Sequence, residues 1–125
     1  MEVLSSRVLL RPSDLERSIG FYADTLGLPV YREFGEPPDR GVVFFLGGGF
    51  LEVSGRSSAG AGPIALWLQV RDLAACHAEL TGAGVQILEP PGRRPWGLDE
   101  MWIADPDGVR IAIIEVPLDH PLRRR

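Results

Sequence analysis

Apolar and polar residues alternate along most of this 125-residue chain, and twice the alternation gives way to a helical period. In the first such stretch Leu15, Ile19, Tyr22 and Leu26 recur at spacings of three or four, which places them on one helix face. Ser13-Asp14-Leu15-Glu16 has the S-x-x-E form of a capping box, in which serine and glutamate satisfy each other's free backbone donors. Gly27 stands where such a helix stops. Period-two alternation predicts a strand before the helix, over residues 3–10, and three after it, over about residues 30–34, 42–46 and 50–53. Gly47-Gly48-Gly49 makes the last connection a tight hairpin, not a phosphate-cradling strand-to-helix turn.

The same order then recurs. Residues 66–70 predict a strand, and Asp72 opens a helix whose apolar side carries Leu73, Cys76 and Leu80 before Gly84 ends it. Strands follow over residues 85–88, 101–104 and 109–116, the last two joined by the turn Asp105-Pro106-Asp107-Gly108. There Pro106 presets φ at the second turn position and Gly108 suits the fourth. LRPSDLERSIGFYADTLGLPV from Leu10 lies over LQVRDLAACHAELTGAGVQI from Leu68, with a one-residue gap near the helix end. The repeat predicts two βαβββ modules of the α+β class, about residues 1–56 and 63–117, in a single domain with a disordered tail over 118–125.

Each helix has to cover one face of its own sheet. The faces assigned to the helices are uniformly apolar: Val8 and Leu10, Leu51 and Val53, Leu66, Leu68 and Val70, Met101 and Ile103, Ile111 and Ile113. The opposite faces mix charge, amide and aromatic groups. They carry Arg7 and Leu9; Phe50, Glu52 and Ser54; Ala65, Trp67 and Gln69; Glu100, Trp102 and Ala104; Arg110, Ala112 and Ile114. Such a mixture lines ligand cavities. The predicted architecture is therefore an open, barrel-like mixed sheet around a cavity, with the helices on the outer face. Trp67, Trp102 and, in the loop before that strand, Trp96 supply planes that hold flat ligands by stacking or cations by their quadrupole.

Composition narrows the partners. Hydrophobic residues make up 45% of the chain and charged residues 24%, ordinary values for a soluble globular protein. A net charge of −4 argues against a nucleic-acid partner. No apolar run approaches the roughly 18 residues of a membrane helix. The first residues lack a basic stretch followed by an apolar block, so no signal peptide is expected. Cys76 is the only cysteine, which excludes an internal disulfide and fits a reducing cytoplasm. Its place on a helix's apolar side makes it a structural thiol.

The segments DLERSIGFYADTLGLPV, QVRDLAACHAELTGAGV and PWGLDEMWIADPDGVRI, in this order and spacing, resemble the vicinal oxygen chelate superfamily of glyoxalases, extradiol dioxygenases, epimerases and drug-resistance proteins. The resemblance implies metal ligands on the first and last strands of each module, and it lays those four positions on Arg7, Glu52, Ala65 and Ala112. A divalent ion needs two or three converging protein donors, and only Glu52 is one. A guanidinium at Arg7 repels a cation. No metal and no cofactor are therefore expected. What remains resembles the metal-free bleomycin-resistance branch, in which Trp67 of ALWLQVRDL and the Pro95-Trp96-Gly97 corner have counterparts. That likeness implies a homodimer sequestering a flat ligand in a crevice shared by two subunits.

The expected function is metal-independent binding of a hydrophobic or aromatic small molecule, with antibiotic sequestration as its bleomycin-resistance form. The expected binding residues are Arg7, Leu9, Phe50, Glu52, Trp67, Gln69, Trp96, Glu100, Trp102 and Arg110. Arg7 and Glu52 are expected to form an ion pair where the metal would sit. The alternative is a lyase, isomerase or dioxygenase with a non-standard site. In that reading Glu52, alone or split in pKa from Glu100, serves as the acid–base group.

Overall fold

Two aspartates start the two helices. Asp14 accepts a hydrogen bond from the Arg17 N–H at 3.1 Å and opens α1 (Leu15–Gly20). Asp72 accepts one from the Ala75 N–H at 3.0 Å and opens α2 (Leu73–Gly82). The capping box expected at Ser13 is therefore displaced by one residue. Aspartate caps as well as serine does and adds the negative charge that a helix start favours. Ser13 Oγ instead accepts from the Arg17 guanidinium at 3.2 Å, and Glu16 pairs with Arg40 at 2.8 Å. α1 passes into a π-helical turn, Phe21–Thr25, closed by the Leu26 N–H on the Phe21 carbonyl at 2.9 Å. The turn buries Tyr22 completely, its ring 6.3 Å from that of Phe44.

The structure, a computed structural model, describes residues 1–124. Two compact units divide it, Met1–Gly60 and the chain from Ala61 onward. In the first, β1 (Val8–Leu10), β2 (Val30–Phe34), β3 (Gly41–Leu46) and β4 (Gly49–Val53) form a sheet in the order β1-β4-β3-β2. The second repeats this with β5 (Leu66–Gln69), β6 (Ile87–Arg93), β7 (Asp99–Ala104) and β8 (Arg110–Glu115), in the order β5-β8-β7-β6. β1 runs parallel to β4 and β5 parallel to β8, and the other pairs are antiparallel. Both units are thus βαβββ modules with open mixed sheets, and the α+β class follows.

Of the residues expected to face the helices, Leu51, Val53, Leu66, Met101, Ile103, Ile111 and Ile113 are buried, Leu10, Leu68 and Val70 are half-buried, and Val8 is exposed. Leu73 and Leu80 of α2 are buried as well. Glu115 reaches from the end of β8 to accept the Leu73 N–H at 2.8 Å, satisfying a free donor at the start of α2. Among the described residues no helix is long and apolar enough to cross a membrane.

Three segments depart from expectation, each for a local reason. β1 covers three residues, not 3–10, because its register pairs Val8 with Leu51. Residues before position 6 would run past the start of β4 and find no partner. β6 lies further along the chain than residues 85–88 and passes through Pro90 and Pro91. The Val85 N–H closes the end of α2 on the Leu80 carbonyl at 3.0 Å. β6 is an edge strand with two register shifts, the setting in which a sheet tolerates proline. Finally, the chain after Pro117, expected as a disordered tail, forms a 3₁₀ turn over Pro121–Arg124. Its Leu122 packs on the apolar cluster of Leu98, Ala112, Ile114 and Val116. Arg125 lies outside the described residues.

Candidate functional site

The open face of module one is laid out by its ladder. Leu9 pairs with Glu52 across β1 and β4, so Arg7 and Arg11, two residues to either side of Leu9, bracket that carboxylate. Arg7 Nη1 donates to Glu52 Oε1 at 2.9 Å, which forms the expected ion pair. Ser54 Oγ donates to Glu52 Oε2 at 2.6 Å and in turn accepts from Arg11 Nη1 at 2.7 Å. The same Arg11 nitrogen lies 3.7 Å from Glu52 Oε2. The Ser54 hydroxyl, and after it Arg7 and Arg11, hold the Glu52 carboxyl below its ordinary pKa against an opposing effect of burial. Gly55 completes the arrangement. A Cβ there would come within 2.8 Å of the Arg11 side chain.

Further along the same face Phe50 pairs directly with Phe45, and Tyr31 closes an aromatic triad. The ring centroids stand 4.8 to 5.7 Å apart. Leu9 beside it is exposed. Arg32, opposite Val43 in the ladder, lies on this face too and stacks over the Phe34 ring at 5.6 Å. The ring of Phe34 itself fills the space where Gly41 has no side chain.

Module two is arranged differently. Trp67, Ala112 and Trp102 stand in one row across β5, β8 and β7, with Gln69, Ile114 and Glu100 in the next. Trp67 is 51% exposed and Trp96 60%, but Trp102 is not an open plane. It packs on the cluster of Leu98, Ala112, Ile114 and Val116, and the Arg110 guanidinium lies over its ring at 4.9 Å. Trp102, expected to line a cavity, is half-buried here and engaged within its own module. Glu100 is buried and accepts the Trp96 indole N–H, so it too is engaged within the module. Gln69 is exposed.

The residues do not fit a metal ion. Of the four positions that the superfamily resemblance assigns to metal ligands, Arg7 is a cation and Ala65 has no donor. Ala112 is 1% exposed inside the apolar cluster. Glu52 already has both oxygens hydrogen-bonded. Among the described residues no three His, Cys, Asp or Glu side chains are grouped to hold an ion. Cys76 is half-buried, and burial, followed by Glu79 and Asp72, pushes its thiol pKa up, which disfavours the nucleophilic thiolate. Two clefts of about 830 and 630 Å³ lie at the helix sides of the modules, one beside Ser13 and Pro37, the other beside His77 and Pro90. None of the expected binding residues lines either.

Arg7, Glu52 and Phe50, expected from the sequence on this face, stand beside Arg11, Ser54, Tyr31 and Phe45, which only the strand register and ring contacts bring in. The coupling in this network has a measurable consequence. Arg7 is 35% exposed and Glu52 14%, so screening limits the cost of Arg7→Met to about 0.5–1 kcal/mol. Glu52→Leu also strands the Ser54 hydroxyl and is expected to cost about 1–3 kcal/mol. Urea unfolding of the double variant should show less destabilisation than the sum of the two, and simple additivity would mean the pair is uncoupled. The sign with pH follows from a lowered carboxyl pKa. The stabilisation is present above the ordinary value of 4.5 and lost as pH falls through the lower folded-state value.

The model of the Glyoxalase/Bleomycin resistance protein/Dioxygenase superfamily matches residues 5–113. A solved member of that superfamily from Sphaerobacter thermophilus is similar at a TM-score of 0.74 and 26% identity, over 91% of this chain and 98% of that one. Two further structures share the fold. A glyoxalase-related enzyme from Fulvimarina pelagi has a TM-score of 0.74 at 24% identity, covering 94% of this chain and 91% of that one. An antibiotic binding protein from a Streptomyces species has 0.75 at 22%, covering 93% and 98%. No curated protein matches the chain.

Proposed function

We propose that this chain, which belongs to the glyoxalase/bleomycin resistance protein/dioxygenase superfamily, is a metal-independent binding protein for a hydrophobic or aromatic small molecule. One observation carries the reading. Glu52, the sole carboxylate at the inherited ligand positions, is occupied by Arg7 and Ser54 and has no oxygen left without a partner. The same contacts weigh against the enzymatic alternative, because a carboxyl held below its ordinary pKa is a weaker general base. The exposed aromatic groups support binding: Tyr31 and Phe45 on module one, Trp67 and Trp96 on module two.

Sequestration of an antibiotic is the specific form of this reading, in keeping with the antibiotic binding protein that shares the fold. A homodimer belongs to it as well, since a second subunit would cover aromatic area of this kind. Light scattering that finds a monomer at micromolar concentration would remove the dimer. The lone Cys76 suits a reducing cytoplasm. The test of binding is a thermal-shift screen of aromatic natural products with and without chelator. A ligand present at about 100 times its Kd adds about 2.7 kcal/mol to stability. Shifts that persist in chelator are expected. Shifts seen only with added metal would overturn the proposal.

A further inference from the structure

We infer that the open face of module one selects a planar aromatic molecule bearing an anionic group such as a carboxylate, its ring against the aromatic triad and its charge on the arginines. The inference rests on the reading of this face as a ligand site and goes further, to the charge of the ligand.

Charge on the face is unbalanced. The ladder that pairs Leu9 with Glu52, Glu52 with Val43 and Val43 with Arg32 puts Arg7, Arg11 and Arg32 on one side of the sheet with a single acid. Three guanidinium groups against one carboxylate leave an excess of two positive charges, on a chain whose net charge is −4. Such a local reversal of sign attracts anions and repels cationic ligands. The one carboxylate offers a cation nothing further, since Arg7 holds one oxygen and Ser54 the other. Arg32, by contrast, has the Phe34 ring beneath it and no ion pair among the described residues. Arg11 spends one nitrogen on Ser54 and stays 45% exposed. Planar guanidinium forks match a carboxylate with paired N–H donors.

The apolar half of the ligand has its place beside these charges. Val8 pairs with Leu51, so the parallel register carries Arg7, one residue earlier, alongside Phe50. Phe50, Phe45 and Tyr31 form a continuous aromatic wall, and Tyr31 and Phe45 remain exposed. Glu52 then has a defined part. It fixes Arg7 between the wall and the other guanidinium groups.

The test uses three probes of one shape and three charges, 2-naphthoate, 2-naphthamide and 2-naphthylmethylammonium, titrated calorimetrically into the full chain at low salt. Naphthoate is expected to bind at least about tenfold more tightly than either of the others, the effect of one charge-assisted hydrogen bond, and the preference should shrink as salt is added. Arg11→Met and Arg32→Met should each weaken naphthoate more than naphthamide and so reduce the preference, and Phe50→Ala should weaken all three probes. An ammonium probe that binds as tightly as naphthoate overturns the inference and leaves the binding proposal standing. A preference unchanged in both arginine variants, or affinities unchanged by Phe50→Ala, also overturns it. Failure of all three probes to bind overturns the inference and the aromatic-ligand reading of this face together.

Discussion

Replacing Ala112 with glutamate, which restores the acid expected at that position in metal-binding relatives, should destabilise the protein by about 3–5 kcal/mol and confer no metal affinity. Ala112 is 1% exposed, and its neighbours are Leu98, Ile114, Val116, Trp102 and Leu122. The new side chain would overfill a packed cluster and bring in a charge with no partner. Its alternative is to swing out by displacing Leu122 and the 3₁₀ turn, which exposes the apolar residues they cover. Either route costs more than a surface substitution. Denaturant unfolding gives the cost and a zinc titration gives the affinity. A stable Ala112→Glu variant that binds one ion per chain would show that the position is still a ligand site.

Trp102→Ala should cost about 3–5 kcal/mol, whereas Trp67→Ala should change stability by no more than about 0.5 kcal/mol. The two side chains stand in the same row, on either side of Ala112. Only Trp102 is packed on the apolar cluster beneath an arginine. Trp67 is 51% exposed and has little packing to lose. Its loss should appear instead in ligand affinity, by about two- to tenfold for one stacking plane. Equal effects of the two substitutions on stability would contradict the division into a structural and an available tryptophan.

Alternation and helical spacing made the modules legible, because each strand face and helix face is decided by residues within a few positions of one another. Gly47 illustrates the local rule. It takes positive φ at the first position of the two-residue hairpin that joins β3 and β4. Asp105 does so as well, its side chain accepting the Asp107 and Val109 N–H groups at 2.8 and 2.9 Å within the turn anticipated there. What local pattern does not carry is register. Arg11 was missed because nothing near it in the chain says that Leu9 will lie beside Glu52, forty-three positions on. Tyr31 was missed for a related reason, since an irregularity in β2 between Val30 and Arg32 breaks the simple alternation.

Alternation also tells which way a side chain points and not what covers it. Trp102, Ala112 and Ile114 share the face opposite the helix, as the pattern implied. Ala112 and Ile114 are buried in one cluster with Leu98, which precedes β7, and Trp102 and Leu122, the latter beyond the last strand, pack against it. Leu98 and Leu122 carry no periodic signal. The same limit applies to the Arg7–Glu52 pair, whose presence was foreseen from inherited ligand positions but whose partial exposure was not.

The claim on which the functional reading depends is that module one replaces a metal with an ion pair. Elemental analysis of the purified protein tests it most directly. The expected result is no stoichiometric zinc, iron, nickel or manganese, with binding of aromatic ligands undiminished after treatment with chelator. About one such ion per chain, lost on Glu52→Ala, would contradict it, because Glu52 would then be a ligand and not the partner of Arg7.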